Sequence, residues 1–494
     1  MTRRRISVQW TPPQREGAVA FRVDDAFFES VEKVRTFPTP PGPPDAPSAR
    51  EFFNRVIRTY GAPAVKGAKN PKEDAIGLLQ LAAEIEHSLM VQYLYAAASV
   101  LPVGGSDARS KIMSVAVQEM GHLISVQNLL LLIGGPDAMH FGRDAIRAKS
   151  PQNPIPLALE PVSATALAKF IVAEMPAHIE DEELRKRVDA LKKIAHDETG
   201  TTPHRVGALY AKLFWLFQPN DDPTPPMELE PNPNDGLRPG WHLAPEDFTD
   251  AAVITDFEAT RGDWVTSSVP GFMLSTVASA QEALALIAAI STQGEGLGDA
   301  HDSHFYEFLE LLDALGQLQI TSLPVNPVAR TAPAPDAGKT TPIHSPYAKL
   351  WAELFDIRYN MLLLDLWHAV STTSSSPKRL PLIALAFANM KLLWQISEQL
   401  LLIRQLHEAL DSAPPFGLQY EDLPDTEELR WRRHELLLGL EAEIIREIRN
   451  SPEFQDCSPG ECEILDFDGN IRLGNIEQSD AVRRTLIPPT SPPS

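Results

Sequence analysis

Two short runs constrain this chain more than any others, 119-EMGH-122 and 84-EIEHSLMVQYLYA-96. On a helix, a carboxylate and an imidazole three positions apart project from one face, where they can grip a single cation. In the stretch from Pro71 to Val100, Leu79, Ala82, Glu86, Leu89 and Tyr93 recur at helical steps, which sets Glu86 in the middle of an apolar stripe. A buried, unpaired carboxylate costs several kcal/mol, so a proton, a partner or a cation must compensate it. Glu84 and His87 are also three apart, but Glu84 lies about 200 degrees round the helix from Glu86 and reads as an outer pair.

After the break 101-LPVGGSD-107, in which Ser106 or Asp107 can cap, Ile112, Val115, Glu119, His122 or Leu123 and Val126 trace a second stripe, ending at 134-GGP-136. Two long helices on a short link should lie antiparallel. Each carboxylate is about twelve to fourteen residues from the turn, so Glu86 meets Glu119 and His122 at mid-bundle.

The composition narrows the setting. The chain has 494 residues, 43% of them apolar, which predicts one large elaborated domain or two. Forty-four basic against 66 acidic residues argue against nucleic acid or an anionic membrane as partner. Cys457 and Cys462 form no disulfide framework or zinc site. No apolar leader follows the basic N-terminus and no uninterrupted apolar run of membrane length is seen, so the expected location is cytoplasmic.

The runs LAAEIEHSLMVQYLYAAASV, IMSVAVQEMGHLISVQNLLLLIGGP, LEPVSATALAKFIVAEMP, HRVGALYAKLF, ALALIAAISTQGEG and SHFYEFLEL occur in this order. Together they resemble the bacterial ferritin-like domain of the iminophenyl-pyruvate (indole-pyruvate imine) dimer synthases. The resemblance implies an all-α, ferritin-like four-helix bundle whose name-giving enzymes couple two oxidised aromatic amino acids. It also implies Glu86 as the first-helix carboxylate and Glu119 with His122 as bridging carboxylate and imidazole, with Glu295 and His304 as the remaining ligand candidates. Relatives carry a glutamate where this chain has Ala208, so one carboxylate of a symmetric two-metal site is expected to be missing. Gln118 stands where relatives carry an acid and is expected to tune the site rather than remove a ligand.

Oxygen and nitrogen donors without thiolate suit iron, one or two ions, with manganese or zinc as alternatives. Tyr93, on the face of Glu86, and Glu307, in the acid-rich turn with Asp299, His301 and Asp302, are the catalytic candidates. The fourth helix is expected over about 274–292 and the third from near Thr202 and Pro203. Strand-like 155-IPLALEPV-162 and the charged 179–198 enlarge the crossover, while Trp241 and Trp264 read as packing anchors or pocket walls.

The expected divisions are an arm and proline-rich spacer (1–70), a bundle (71–323), a linker (324–344), a helical extension (345–450) and a tail (451–494). In the extension, Lys391, Gln395 and Glu398 lie on an otherwise apolar helix and are read as lining a cavity, and a charged helix at about 426–449 is read as surface. The expected function is a metal-dependent oxidoreductase acting on a small amino-acid-derived or aromatic molecule in specialised metabolism, self-assembly being an open partner expectation. The alternative is a single-metal or metal-free condensing or binding protein.

Overall fold

A computed structural model describes residues 8–9, 53–54, 56–57, 61–101, 107–143, 158–176, 179, 181–199, 206–219, 240–264, 272–295, 303–329, 340–418 and 423–455. The chain divides into two compact units. The first comprises Met1–Ile254, Glu258–Arg261 and Thr266–Thr321, and the second Thr255–Phe257, Gly262–Val265 and Ser322–Ser494.

In the first unit, β1 (Val8–Gln9) pairs antiparallel with β2 (Ala64–Val65) ahead of α1 (Pro71–Ser99). Asn70 caps α1 by accepting from Glu73 N at 2.8 Å, Pro71 stands in the first turn, and Glu73 and Asp74 complement the helix dipole. α2 (Ala108–Gly134) packs along α1. Its cap position is Asp107, which makes no side-chain capping bond. At its other end Gly135 takes φ +69°, and its N–H returns to Leu131 O at 3.1 Å, a conformation that favours glycine.

α3 (Ala164–Glu174) starts at Ser163, whose hydroxyl accepts from Ala166 N, and packs on the charged α4 (Glu182–Thr199). α5 (Val206–Phe217) is buried on every side, as its apolar sequence demands, and packs against α1 and α6 (Ala280–Glu295). α7 (His304–Asp313) packs on α3. The fourth helix was expected over about 274–292, but residues 272–278 are not helical. Ser279 sets the real start, its hydroxyl accepting from Glu282 N at 3.2 Å. The preceding segment is held on α2 by side chains, Ser125 Oγ donating to Met273 O and Asn128 Nδ2 to Ser275 O. Gly121 permits this crossing, since a Cβ there would lie 2.6 Å from Met273 O.

Residues 158–162 show no strand, and the rest of the strand-like stretch, like Thr202, Pro203 and both cysteines, lies outside the described residues. Trp241 is a packing anchor, donating from Nε1 to Asp74 Oδ2 at 3.1 Å. That carboxylate also meets the buried Lys212 at 3.3 Å. On the face of α1 turned away from Glu86, which is buried rather than outer, Glu84 pairs with His140 at 2.6 Å and His87 contacts Gly142 O.

Among the described residues the second unit has a short parallel pair (Pro327–Val328 with Thr341–Pro342) and three long helices, α8 (Pro346–Val370), α9 (Arg379–Leu406) and α10 (Glu427–Asn450), the last followed by a single turn at Pro452–Gln455. α8 packs against both others. The charged α10 is a surface helix, as expected, exposing Glu428, Arg432, Glu435 and Arg446, while its inner face buries Trp431, His434 and Glu441. Charge there is compensated: Arg358 pairs with Glu441, both fully buried, and donates to Asn389 Oδ1 at 2.9 Å. Asn389 in turn donates to Asp365, which meets His434 at 3.3 Å. Trp264 is buried against Phe387, again as an anchor.

By length and composition α2 and α9 would be long and apolar enough to cross a membrane, although no run in either is uninterrupted. The apolar window of α2 is 83% buried within the fold, and Glu119 and His122 on this helix belong to the site described next.

Candidate metal centre

Four helices deliver one cluster. α1 supplies Glu86, α2 supplies Glu119 and His122, α3 supplies Glu174, and α7 begins with His304; each of these side chains is at most 2% exposed. They form two triads, Glu86 with Glu119 and His122, and Glu119 with Glu174 and His304, in each of which the ligand atoms lie within 4.8 Å of one another. Glu119 belongs to both. Its Oε2 is 2.9 Å from His122 Nδ1, and its Oε1 is 3.0 Å from His304 Nδ1. Glu86 Oε2 stands 3.5 Å from His122 Nδ1, and Glu174 Oε2 stands 3.9 Å from His304 Nδ1.

The outer carboxylate of each triad is tied by a tyrosine. Tyr210 donates to Glu86, and Tyr93 donates to Glu174 at 2.7 Å. Phe170 and Phe308 close round the Tyr93 ring at 4.9 and 4.8 Å. The far nitrogen of each imidazole meets a glutamine, His122 Nε2 reaching Gln293 Oε1 at 3.0 Å and His304 Nε2 reaching Gln118 Oε1 at 2.7 Å.

Burial and crowding set the protonation of this cluster. Burial, reinforced by Glu119, raises the Glu86 carboxyl to about 8. Burial would also raise Glu119, but His304 and His122 outweigh it and hold that carboxylate below its usual range. Burial opposes charge on the imidazoles too; hydrogen bonds to Glu119 and Glu86 nevertheless lift His122 well above its usual value. The charge of Glu119 leads in lifting His304 to about 9. Burial, followed by Glu174, raises the Tyr93 hydroxyl, which therefore stays protonated.

The donor set fits a cation. Glu119 Oε1 and His304 Nδ1 are buried and, despite their 3.0 Å separation, have no hydrogen-bond partner, because their orientation fails the angular requirement. Two such atoms aimed at a shared point suit an ion better than they suit each other. Gly294 keeps that space open, since a Cβ there would stand 3.2 Å from Glu174 Oε2 and 4.0 Å from His304 Nδ1. Carboxylate oxygen and imidazole nitrogen are the donors that iron, manganese and zinc accept.

Of the sequence candidates, Glu86, Glu119, His122 and His304 come together, with Tyr93 beside them. Glu295 is the last residue of α6, and its side chain lies outside the described residues. Asp299, His301 and Asp302 also lie outside them. Glu307 is half-buried one turn along α7 from His304 and belongs to neither triad. Its carboxyl is raised by burial, against the influence of Lys111, which itself pairs with Glu310 at 2.7 Å. Position 208 offers no carboxylate, as expected, and the second triad draws its own carboxylate from Glu174 on α3. Sequence reasoning missed Glu174 although the sign was present, a lone acid closing the apolar run FIVAEM. Tyr210, two residues past Ala208, gave the same kind of sign: one hydroxyl on a helix that is apolar but for Lys212.

The sequence profile of the Ferritin-like family matches residues 79–234, the span that carries Glu86, Glu119, His122 and Glu174. The chain carries a ferritin-like domain. The 2-imino-3-(indol-3-yl)propanoate dimerase of Chromobacterium violaceum is 29% identical over 27% of this chain and 17% of its own length. Both matches bear out the family resemblance, and the first four of the six sequence blocks lie within the profile match. No solved structure matches the chain significantly.

Proposed function

We propose that the ferritin-like domain holds two metal ions, iron foremost, and that the chain is an oxidoreductase acting on a small aromatic or amino-acid-derived substrate in specialised metabolism. One observation carries this reading: Glu119 is shared by two buried triads, each completed by its own carboxylate and its own imidazole. In this reading Glu86 and His122 would hold one ion and Glu174 and His304 the other, with Glu119 available to both. Such an ion pair supplies electron transfer and dioxygen activation when bound.

The surrounding residues perform the remaining tasks. Tyr210 and Tyr93 each occupy one oxygen of an outer carboxylate, which leaves the other oxygen to face the ions. Tyr93 holds its proton 2.7 Å from Glu174, within reach of the centre, while Phe170 and Phe308 exclude water around its ring. Glu307, half-buried one turn from His304 and with its carboxyl raised, is a group on α7 suited to deliver a proton from outside the triads. The substrate class follows from the name of the Chromobacterium relative and remains a proposal, since the match spans 17% of that protein.

The alternative, a single-metal or metal-free condensing or binding protein, has one observation in its favour: Glu119 and His122 stand 2.9 Å apart, an ion pair able to compensate both charges by itself. Metal analysis of protein purified without chelator separates the two. Two irons per chain and an absorption band that changes on exposure to oxygen are expected. Protein with no bound metal, and a Glu119→Ala variant indistinguishable from wild type, would sink the first reading.

A further inference from the structure

The two imidazoles of the cluster are oriented alike, by residues from different helices. His122 turns Nδ1 toward Glu119 and Glu86 and sets Nε2 on Gln293 of α6. His304 turns Nδ1 toward Glu119 and Glu174 and sets Nε2 on Gln118 of α2. In both cases the glutamine atom in contact is the carbonyl oxygen, which only accepts. An acceptor at Nε2 keeps a proton there, so that it is the Nδ1 proton an entering ion displaces and the Nδ1 lone pair that meets it.

We infer that Gln118 and Gln293 are positioning residues that lock both histidines into the tautomer presenting Nδ1 to the metals, one glutamine to each half of the centre. The inference rests on the two-metal reading above. The choice of an amide has a charge consequence. Glu86, Glu119 and Glu174 already place three carboxyl groups in a buried pocket, and a fourth acid at position 118 would add to their mutual repulsion. A neutral amide orients the ring without that addition, and it makes the imidazole a weaker donor than a carboxylate partner would. The arrangement is crossed. Gln118 adjoins Glu119 in sequence yet serves His304, whereas Gln293 adjoins Gly294, beside the Glu174 half, yet serves His122.

The full-length chain tests this with two readouts, neither of them activity. Zinc affinity is measured against a competing chelator for wild type, Gln118→Leu, Gln293→Leu and Gln118→Glu. The tautomers are read from nitrogen-15 histidine spectra of the zinc-loaded protein. Each leucine variant, still folded by circular dichroism, is expected to weaken one of two binding events about 10- to 100-fold and spare the other. Gln118→Glu, which keeps an acceptor in place, is expected to retain both ions and the Nε2-protonated form. Wild type with two zinc ions and protons on Nδ1, or leucine variants that bind both ions as wild type does, would overturn the inference while leaving the two-metal reading intact. If a leucine variant does not fold, the wild-type spectra and Gln118→Glu decide by the same criteria. Wild type that takes up no zinc, iron or manganese overturns the two-metal reading and this inference with it.

Discussion

Glu119 and His304, from α2 and α7, approach to 3.0 Å in a buried pocket and still fail to hydrogen-bond. Their misalignment is what an intervening cation would correct, and because Glu119 serves both triads its loss should be felt twice. Glu119→Gln is expected to remove both ions, whereas Glu86→Gln or Glu174→Gln should remove one. Metal content per folded chain, measured by elemental analysis, distinguishes these outcomes.

Metal uptake should depend steeply on pH. Burial raises the Glu86 carboxyl to about 8 and Glu119 raises His304 to about 9, so near neutrality both hold protons that an entering ion must displace. Raising the pH from 6 to 9 removes those protons and strengthens binding, by about tenfold per pH unit for each proton displaced. Competition titrations across that range, with proton release followed in weak buffer, check the sign and the slope. A flat profile would contradict it.

Tyr93→Phe deletes the hydroxyl that donates to Glu174 and leaves the aromatic packing with Phe170 and Phe308 in place. A hydrogen bond to a charged group contributes about 1.5–3 kcal/mol, so a loss of that order is expected in urea denaturation. Turnover, once a substrate is found, should fall more than stability does if the tyrosine proton is used.

Gly121→Ala is predicted to be harmful although alanine is the better helix former. Its Cβ would meet Met273 O at 2.6 Å and Met273 N at 2.8 Å, and these are backbone atoms that cannot rotate away. The overpacking should cost about 1–3 kcal/mol and lower metal content along with the melting temperature.

In the second unit, Arg358→Met alone strands the fully buried Glu441 and should destabilise by about 3–5 kcal/mol. Combining it with Glu441→Leu removes the stranded charge. Most of the lost stability is then expected to return, which chemical denaturation of the two variants would show.

The parts of the centre visible in the sequence lie on long, regular helices. Glu86, Glu119 and His122 announce themselves because a fixed helical period places a polar group on an apolar stripe, and α1 and α2 are long enough to show that period. Glu174 stands at the end of an 11-residue helix inside a crossover that reads as connection, too short for its periodicity to stand out. The start of α6 was misplaced because Leu274, Val277 and Ala278 look helical in composition, while the contacts that keep 272–278 out of the helix come from Ser125 and Asn128, far away in sequence. The end was misplaced for a different reason. Gly294 sits inside the last turn, where its lack of a side chain leaves room beside Glu174 and His304.

The crossing at Gly121 also bears on how the centre keeps its shape. Residues 272–278 are pinned to α2 at Met273 and Ser275 and lead into α6, whose Gln293 comes back to His122 on α2. The strap leaves a helix and returns to it, so the ring of His122 is gauged against its own support. When the bundle breathes, the glutamine that aims this ring should travel with it, and the flexing should be taken up at the other half of the centre, where Glu174 and His304 come from α3 and α7.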